Sequence, residues 1–193
     1  PSAHNVLKAT WFRCKAFVVK AGTIILLATV AIWFLKSISV TGHFMDFNAD
    51  PEDSILAVIG KAIAPVFAPL GFGDWIASVA TILGLVAKEI VVGTYGVLAG
   101  IGEVGAEDAP MVALVAERFT TASAFAFVFF NQLTVPCFAA TGAIKEEMGS
   151  KKWFGLAIGY QILFSYTVAF MIYQFGRLLE GGSFNLMTAL AIV

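Results

Sequence analysis

The sequence predicts an all-α, polytopic helical membrane protein of about five membrane segments, at least one of them broken or re-entrant, plus a truncated last segment. Three observations carry that prediction. Of the 193 residues, 59% are hydrophobic and only 13% charged, whereas soluble domains run at roughly 25% charged. Mean hydropathy is +0.87. Several apolar runs approach or exceed the ~18–20 residues that a helix needs to cross a bilayer, and prolines or polar residues interrupt some of them. A net charge of −1 and a pI of about 6.1 give no basic surface for nucleic acid. Cys14 and Cys137 lie in different segments, with no CxxC or Cys/His zinc spacing, so no disulfide framework is expected.

Residues 1–15 form a cytoplasmic amphipathic approach. His4, Lys8, Arg13 and Lys15 alternate with Trp11 and Phe12, and Lys20 and Phe17 continue the pattern, which suits a cytoplasmic membrane surface. The membrane core region follows at 16–101. Its first segment, 16–35, leaves the cytoplasm, because basic residues precede it and the acids Asp46, Asp50, Glu52 and Asp53 follow. Asp50-Pro51 reads as a helix start, with acids in the first turn. The next segment, 54–72, holds Pro65, Pro69 and Gly71, which make its second half a poor straight helix. Alone it reads as interfacial or re-entrant; charge parity along the chain favours a crossing.

The segment at 75–101 carries Lys88 and Glu89 near its middle. Ionisable residues at that depth mark either a functional site or internal ion pairs. On one continuous helix the two side chains point about 100° apart, so each needs its own partner. An acidic external loop occupies 102–118, and a last membrane region with the truncated final segment fills 119–193. Within it, 119–144 ends at Lys145-Glu146-Glu147 and 153–175 ends at Arg177, with the basic stretch 145–152 between them on the cytoplasmic side. The four tryptophans (Trp11, Trp33, Trp75, Trp153) fall at segment ends, as an interfacial belt requires. Gly93, Gly96 and Gly100, and the pair Gly155 and Gly159, supply small faces for helix packing. The chain starts at Pro1 and ends inside an apolar run, so it reads as a piece of a larger protein.

The most informative stretch is 131–147. Asn131, Thr134, Cys137 (or Phe138), Thr141 and Lys145 recur at helical spacing as a polar stripe. Pro136 removes the N–H that would serve the Gln132 carbonyl and opens that turn. A bare carbonyl beside the Cys137 sulfur and the Thr134 and Thr141 hydroxyls suits a borderline divalent cation better than Mg²⁺ or Ca²⁺. The alternative is a structural kink with Cys137 as a small core residue. Glu146 and Glu147 could hold a cation leaving the pathway, or form a solvated helix end. Asn131 and Gln132 suit hydrogen bonds crossing between helices. No phosphate loop, H-E-x-x-H or G-x-S-x-G motif is present, so no catalytic site is expected.

Four passages in order, K-A-G-T-I-I at 20–25, A-P-V-F-A-P-L-G-F-G-D-W at 64–75, T-I-L-G-L-V-A-K-E-I-V-V-G-T at 81–94 and V-P-C-F-A-A-T-G-A-I-K-E-E-M at 135–148, together with Y-Q at 173–174, resemble the ferrous iron transport protein B (FeoB) family, in the C-terminal half of its membrane domain. The resemblance implies Fe²⁺ uptake, not enzymatic chemistry, in a bacterial or archaeal inner (cytoplasmic) membrane. It places Cys137 at the cysteine of the second Pro-Cys gate and Lys88-Glu89 in the family's A-K-E motif. It also implies a G domain using GTP and Mg²⁺, and a first gate, both outside this chain. The lipid bilayer, a homo-oligomer and a small cytoplasmic Feo accessory protein are the further partners it suggests. A secondary transporter of another solute, such as a nucleoside, and a non-transporting scaffold stand as alternatives.

Overall fold

A computed structural model describes residues 2–38, 54–88, 90–102, 105–182 and 191. These are helical, without β-strand among the described residues. Eight α-helices organise them: α1 (Ala3–Ser37), α2 (Ile55–Phe67), α3 (Trp75–Gly84), α4 (Ile90–Leu98), α5 (Ala109–Arg118), α6 (Thr121–Leu133), α7 (Phe138–Met148) and α8 (Lys151–Leu179).

The 35 residues of α1 make one helix of the basic approach and the first apolar segment. At 1.5 Å per residue that is about 50 Å, longer than a hydrocarbon core of about 30 Å. The Ser54 hydroxyl caps α2 by accepting from Ala57 N–H at 3.1 Å. The predicted helix start at Asp50-Pro51 lies outside the described residues. Pro65 sits inside α2, and a 3-10 turn (Ala68–Leu70) with Gly71 at φ +85° ends it. The chain then turns 92° into α3, so 55–84 is either one interrupted span or a re-entrant hairpin. α8, by contrast, is long and apolar enough to cross alone.

The segments predicted at 75–101 and 119–144 are each interrupted. α3 stops at Gly84 and α4 starts at Ile90; α6 stops at Leu133 and α7 starts at Phe138. The acidic stretch 102–118 is not all loop, because Asp108 precedes a helix with Pro110 in its first turn. That helix, α5, meets α6 at 109°.

The core is aromatic. Phe67 stacks on Phe72 (5.4 Å between centroids) and meets Phe130 edge-on (5.5 Å), while Phe127 closes against Phe72 at 5.2 Å. Trp75, only 8% exposed, belongs to this core rather than to an interfacial belt. Trp11, Trp33 and Trp153 do face outward. The close helix approach comes at Gly176, where a Cβ would stand 2.6 Å from that of Ala122, drawing α8 onto α6. A Cβ at Gly93, Gly100, Gly155 or Gly159 would meet nothing, so these glycines do not serve helix packing among the described residues.

Candidate functional site

The two interruptions lie side by side and exchange hydrogen bonds. Three consecutive carbonyls, of Gln132, Leu133 and Thr134, lose their helical donors where α6 stops. Pro136 has no N–H to offer the first. Phe138 N–H, which a continuous helix would give to Thr134, goes instead to the Leu85 carbonyl in the α3–α4 interruption, at 3.0 Å. In return, Lys88 donates its Nζ to the carbonyls of Gln132 (3.0 Å) and Thr134 (3.2 Å). Backbone groups at membrane depth must find partners inside the protein, and each interruption answers part of the other's need.

α8 completes the arrangement. Gln161 Nε2 reaches the Leu133 and Thr134 carbonyls at 3.5 Å each. Further along α8, Tyr166 donates to the Val66 carbonyl at 2.9 Å and Gln174 to that of Pro69 at 3.3 Å. The helix therefore serves freed carbonyls at both the α2 turn and the α6–α7 interruption.

The Gln132 carbonyl is accordingly not bare, as the proline alone predicted; the Lys88 ammonium holds it. Lys88 lies outside the helices, since residues 85–88 follow the end of α3 at Gly84; Glu89, and with it any pairing it makes, lies outside the described residues. The polar stripe from Asn131 to Lys145 is split between two helices. Asn131 crosses to α3, its Nδ2 lying 3.5 Å from Thr81 Oγ1 and 2.9 Å from the Phe127 carbonyl. Thr134 is buried, whereas the residue Gln132 is exposed. Cys137 is the half-buried N-cap residue of α7, and its side chain caps no N–H. Thr141 closes the first turn by donating to the Pro136 carbonyl at 2.9 Å. Glu146 and Glu147 are exposed near the end of α7, with Glu147 3.9 Å from Arg13 of α1.

Among the described residues no group of three or more His, Cys, Asp or Glu side chains could hold a metal ion. The polar groups at the interruption are main-chain carbonyls, the Cys137 thiol and the Thr134 and Thr141 hydroxyls. Position along the sequence signalled Pro136 and Cys137. The carbonyl-holding roles of Lys88, Tyr166 and Gln174 depend on contacts across 44 to 105 residues, and no local pattern carries them.

A family model described as "Gate: Nucleoside recognition" matches residues 18–151. The chain belongs to the Gate family. Its curated relatives include proteins named Fe(2+) transporter FeoB, and they place this Gate chain with the FeoB membrane region. The one from Methanocaldococcus jannaschii is 38% identical across 93% of this chain and 26% of its own length. That of Staphylococcus aureus is 34% identical across 92% of this chain and 26% of its own. The Escherichia coli relative is 26% identical over the whole chain and 31% of its own length. The chain thus spans about a quarter to a third of the curated relatives it matches. No solved structure matches it.

Proposed function

We propose that this Gate chain forms part of the Fe²⁺ pathway of a GTP-dependent iron permease in a bacterial or archaeal inner membrane. It acts in transport and not as an enzyme. The observation that carries this is the pair of interrupted helices held against each other through the Lys88 and Phe138 contacts, with Cys137 opening α7 beside them. Interrupted helices at a polar crossing are the usual setting for ion sites in transporters. The names of the relatives supply the cation. Thiol and carbonyl ligands fit Fe²⁺, which accepts both.

In this reading Cys137 is a soft ligand in the pathway, with Thr134 and Thr141 beside it and Gln132 contributing its carbonyl. Pro136 keeps the interruption open. Lys88 holds the carbonyls, and Glu89 is a second polar station. Glu146 and Glu147 mark the cytoplasmic exit. The contact between Arg13 and Glu147 supports this direction, because it brings the basic N-terminal approach and the end of α7 together. A G domain using GTP and Mg²⁺ and a first gate, elsewhere in the full-length protein, complete the permease. A second copy of the chain and a small cytoplasmic Feo accessory protein are its further partners.

The test is Fe²⁺ uptake by cells expressing the full-length protein with Cys137→Ser. Outer partners of a metal alone are worth roughly 10–100-fold, so losing a ligand lowers uptake by about tenfold or more at unchanged abundance. Normal uptake by this variant removes Cys137 from the pathway. The description of the matching family favours one rival, transport of a nucleoside. Competition of Fe²⁺ uptake by unlabelled Fe²⁺ but not by nucleosides separates the two.

A further inference from the structure

A cavity of about 160 Å³ lies between α4, α5 and the first half of α6. Of the residues that line it, Val91, Tyr95 and Met111 are buried, whereas Val92 and Val128 are exposed. Its mouth is therefore between α4 and α6, and its deep end lies at Tyr95 and Met111. The rings of Tyr95, Phe119 and Phe127 form one wall, with centroids between 5.5 and 6.5 Å apart. The lining side chains are apolar except for Tyr95, whose hydroxyl is buried out of the reach of a water molecule. A water in this space would find almost nothing to hydrogen-bond, so the space suits an apolar occupant.

We infer that this cavity is a binding site for the hydrocarbon chain of a membrane lipid, which enters between Val92 and Val128 and ends against Tyr95 and Met111. Val128 decides the occupant. With Phe125 and Phe129 it belongs to an exposed apolar flank of α6, the kind of surface that a membrane protein turns to lipid. The mouth is thus continuous with that flank, and a chain end reaches the cavity without leaving hydrocarbon. The volume is close to that of an apolar cavity of ~150 Å³ that holds benzene, so about six carbons fit. Occupancy has a consequence beyond the cavity. The Phe127 ring also meets Phe72 at 5.2 Å, and its carbonyl accepts from Asn131, which crosses to α3. A chain packed against Phe127 therefore braces α6 shortly before it stops at Leu133. The inference holds whichever solute the protein carries.

The experiment uses the full-length protein in nanodiscs of phosphatidylethanolamine and phosphatidylglycerol, doped with a phosphatidylglycerol whose acyl chain ends in a diazirine. After irradiation, peptide mass spectrometry reads the labelled residues. Tyr95 and Met111, only 4% and 3% exposed, are expected to carry label at a level comparable with that on exposed Phe125. Label on Phe125 and Val128 with little or none on Tyr95 and Met111 overturns the inference. So does label on none of the four, which would mean that another part of the full-length protein covers the mouth. Ala124 lines the cavity, and Ala124→Phe fills it. This variant is expected to lose label several-fold at Tyr95 and Met111 and to keep it at Phe125. Undiminished label at the two buried residues in a folded Ala124→Phe protein overturns the inference. Where that variant fails to fold, the wild-type pattern decides alone. Label placed on Tyr95 and Met111 by a small aromatic diazirine, but not by the lipid probe, would assign the cavity to a small apolar molecule and overturn the acyl-chain reading.

Discussion

Gln174 is 1% exposed and directs its amide at the Pro69 carbonyl. Replacing it with leucine keeps the volume but takes the donor away from the half-buried Pro69 carbonyl. Leaving a buried polar group unserved costs about 1–3 kcal/mol. Gln174→Leu is therefore expected to lower the thermal midpoint of the detergent-solubilised protein, and an unchanged midpoint would show that water serves the Pro69 oxygen. Gly71 lies in the same turn, at φ +85° beneath the ring of Tyr173, where any side chain would be both strained and crowded. At this scale the sequence was informative wherever the chemistry is local. Pro136 announces a missing N–H, and a freed Gln132 carbonyl follows from the proline alone. Its partner does not follow, because Lys88 arrives from 44 residues away. The structure adds local places for the nearby residues: Cys137 is the N-cap of α7 and Thr141 closes its first turn.

The elements divide in the same way. The apolar runs and the broken helix at Pro136 were legible, since hydropathy and a proline carry them. The interruption between α3 and α4 contains no proline, and its five-residue gap holds only Leu85 to Glu89. Its tertiary signature is the Leu85 carbonyl, which accepts from Phe138 N–H of α7. The α5 helix hid within an acidic stretch whose charges suggested a solvated loop. Pro136→Ala tests the element-scale account. With the N–H restored, the α6 ladder can extend across 134–137, and Lys88 has to share the Gln132 carbonyl. The expected result is slower amide hydrogen exchange in peptides covering 134–138, together with reduced Fe²⁺ uptake. Unchanged exchange would mean that the Phe138–Leu85 bond, and not the proline, keeps the helices apart.

On the scale of the molecule, the charge pattern assigns the first half of α1 and the end of α7 to one side, an expectation that labelling can test. The first half of α1 and the end of α7 meet at Arg13 and Glu147. That pair is 85% and 79% exposed and 3.9 Å apart. Such surface pairs are worth about 0–1 kcal/mol, so it reports proximity and does little to hold the helices together. Cys14 lies one residue from it. In inside-out vesicles of the full-length protein, a membrane-impermeant thiol reagent should modify both Cys14 and an introduced Ser150→Cys. Modification of one but not the other would place α1 and the α7–α8 junction on opposite faces and reverse the proposed exit. The crossing or re-entry of 55–84 could not be read from composition, because a 92° bend between two apolar helices satisfies either route.

The exchange between the two interruptions also bears on how the protein is made. During synthesis 75–98 leave the ribosome before 121–148, so the Leu85 carbonyl and the Lys88 ammonium are in the membrane before their partners exist. When α6 and α7 follow, they can dock at once on a waiting acceptor and a waiting donor. Gln161 of α8 arrives last and closes over the Leu133 and Thr134 oxygens. A truncation ending before α8 would leave those oxygens with one donor fewer, a natural target for membrane quality-control proteases.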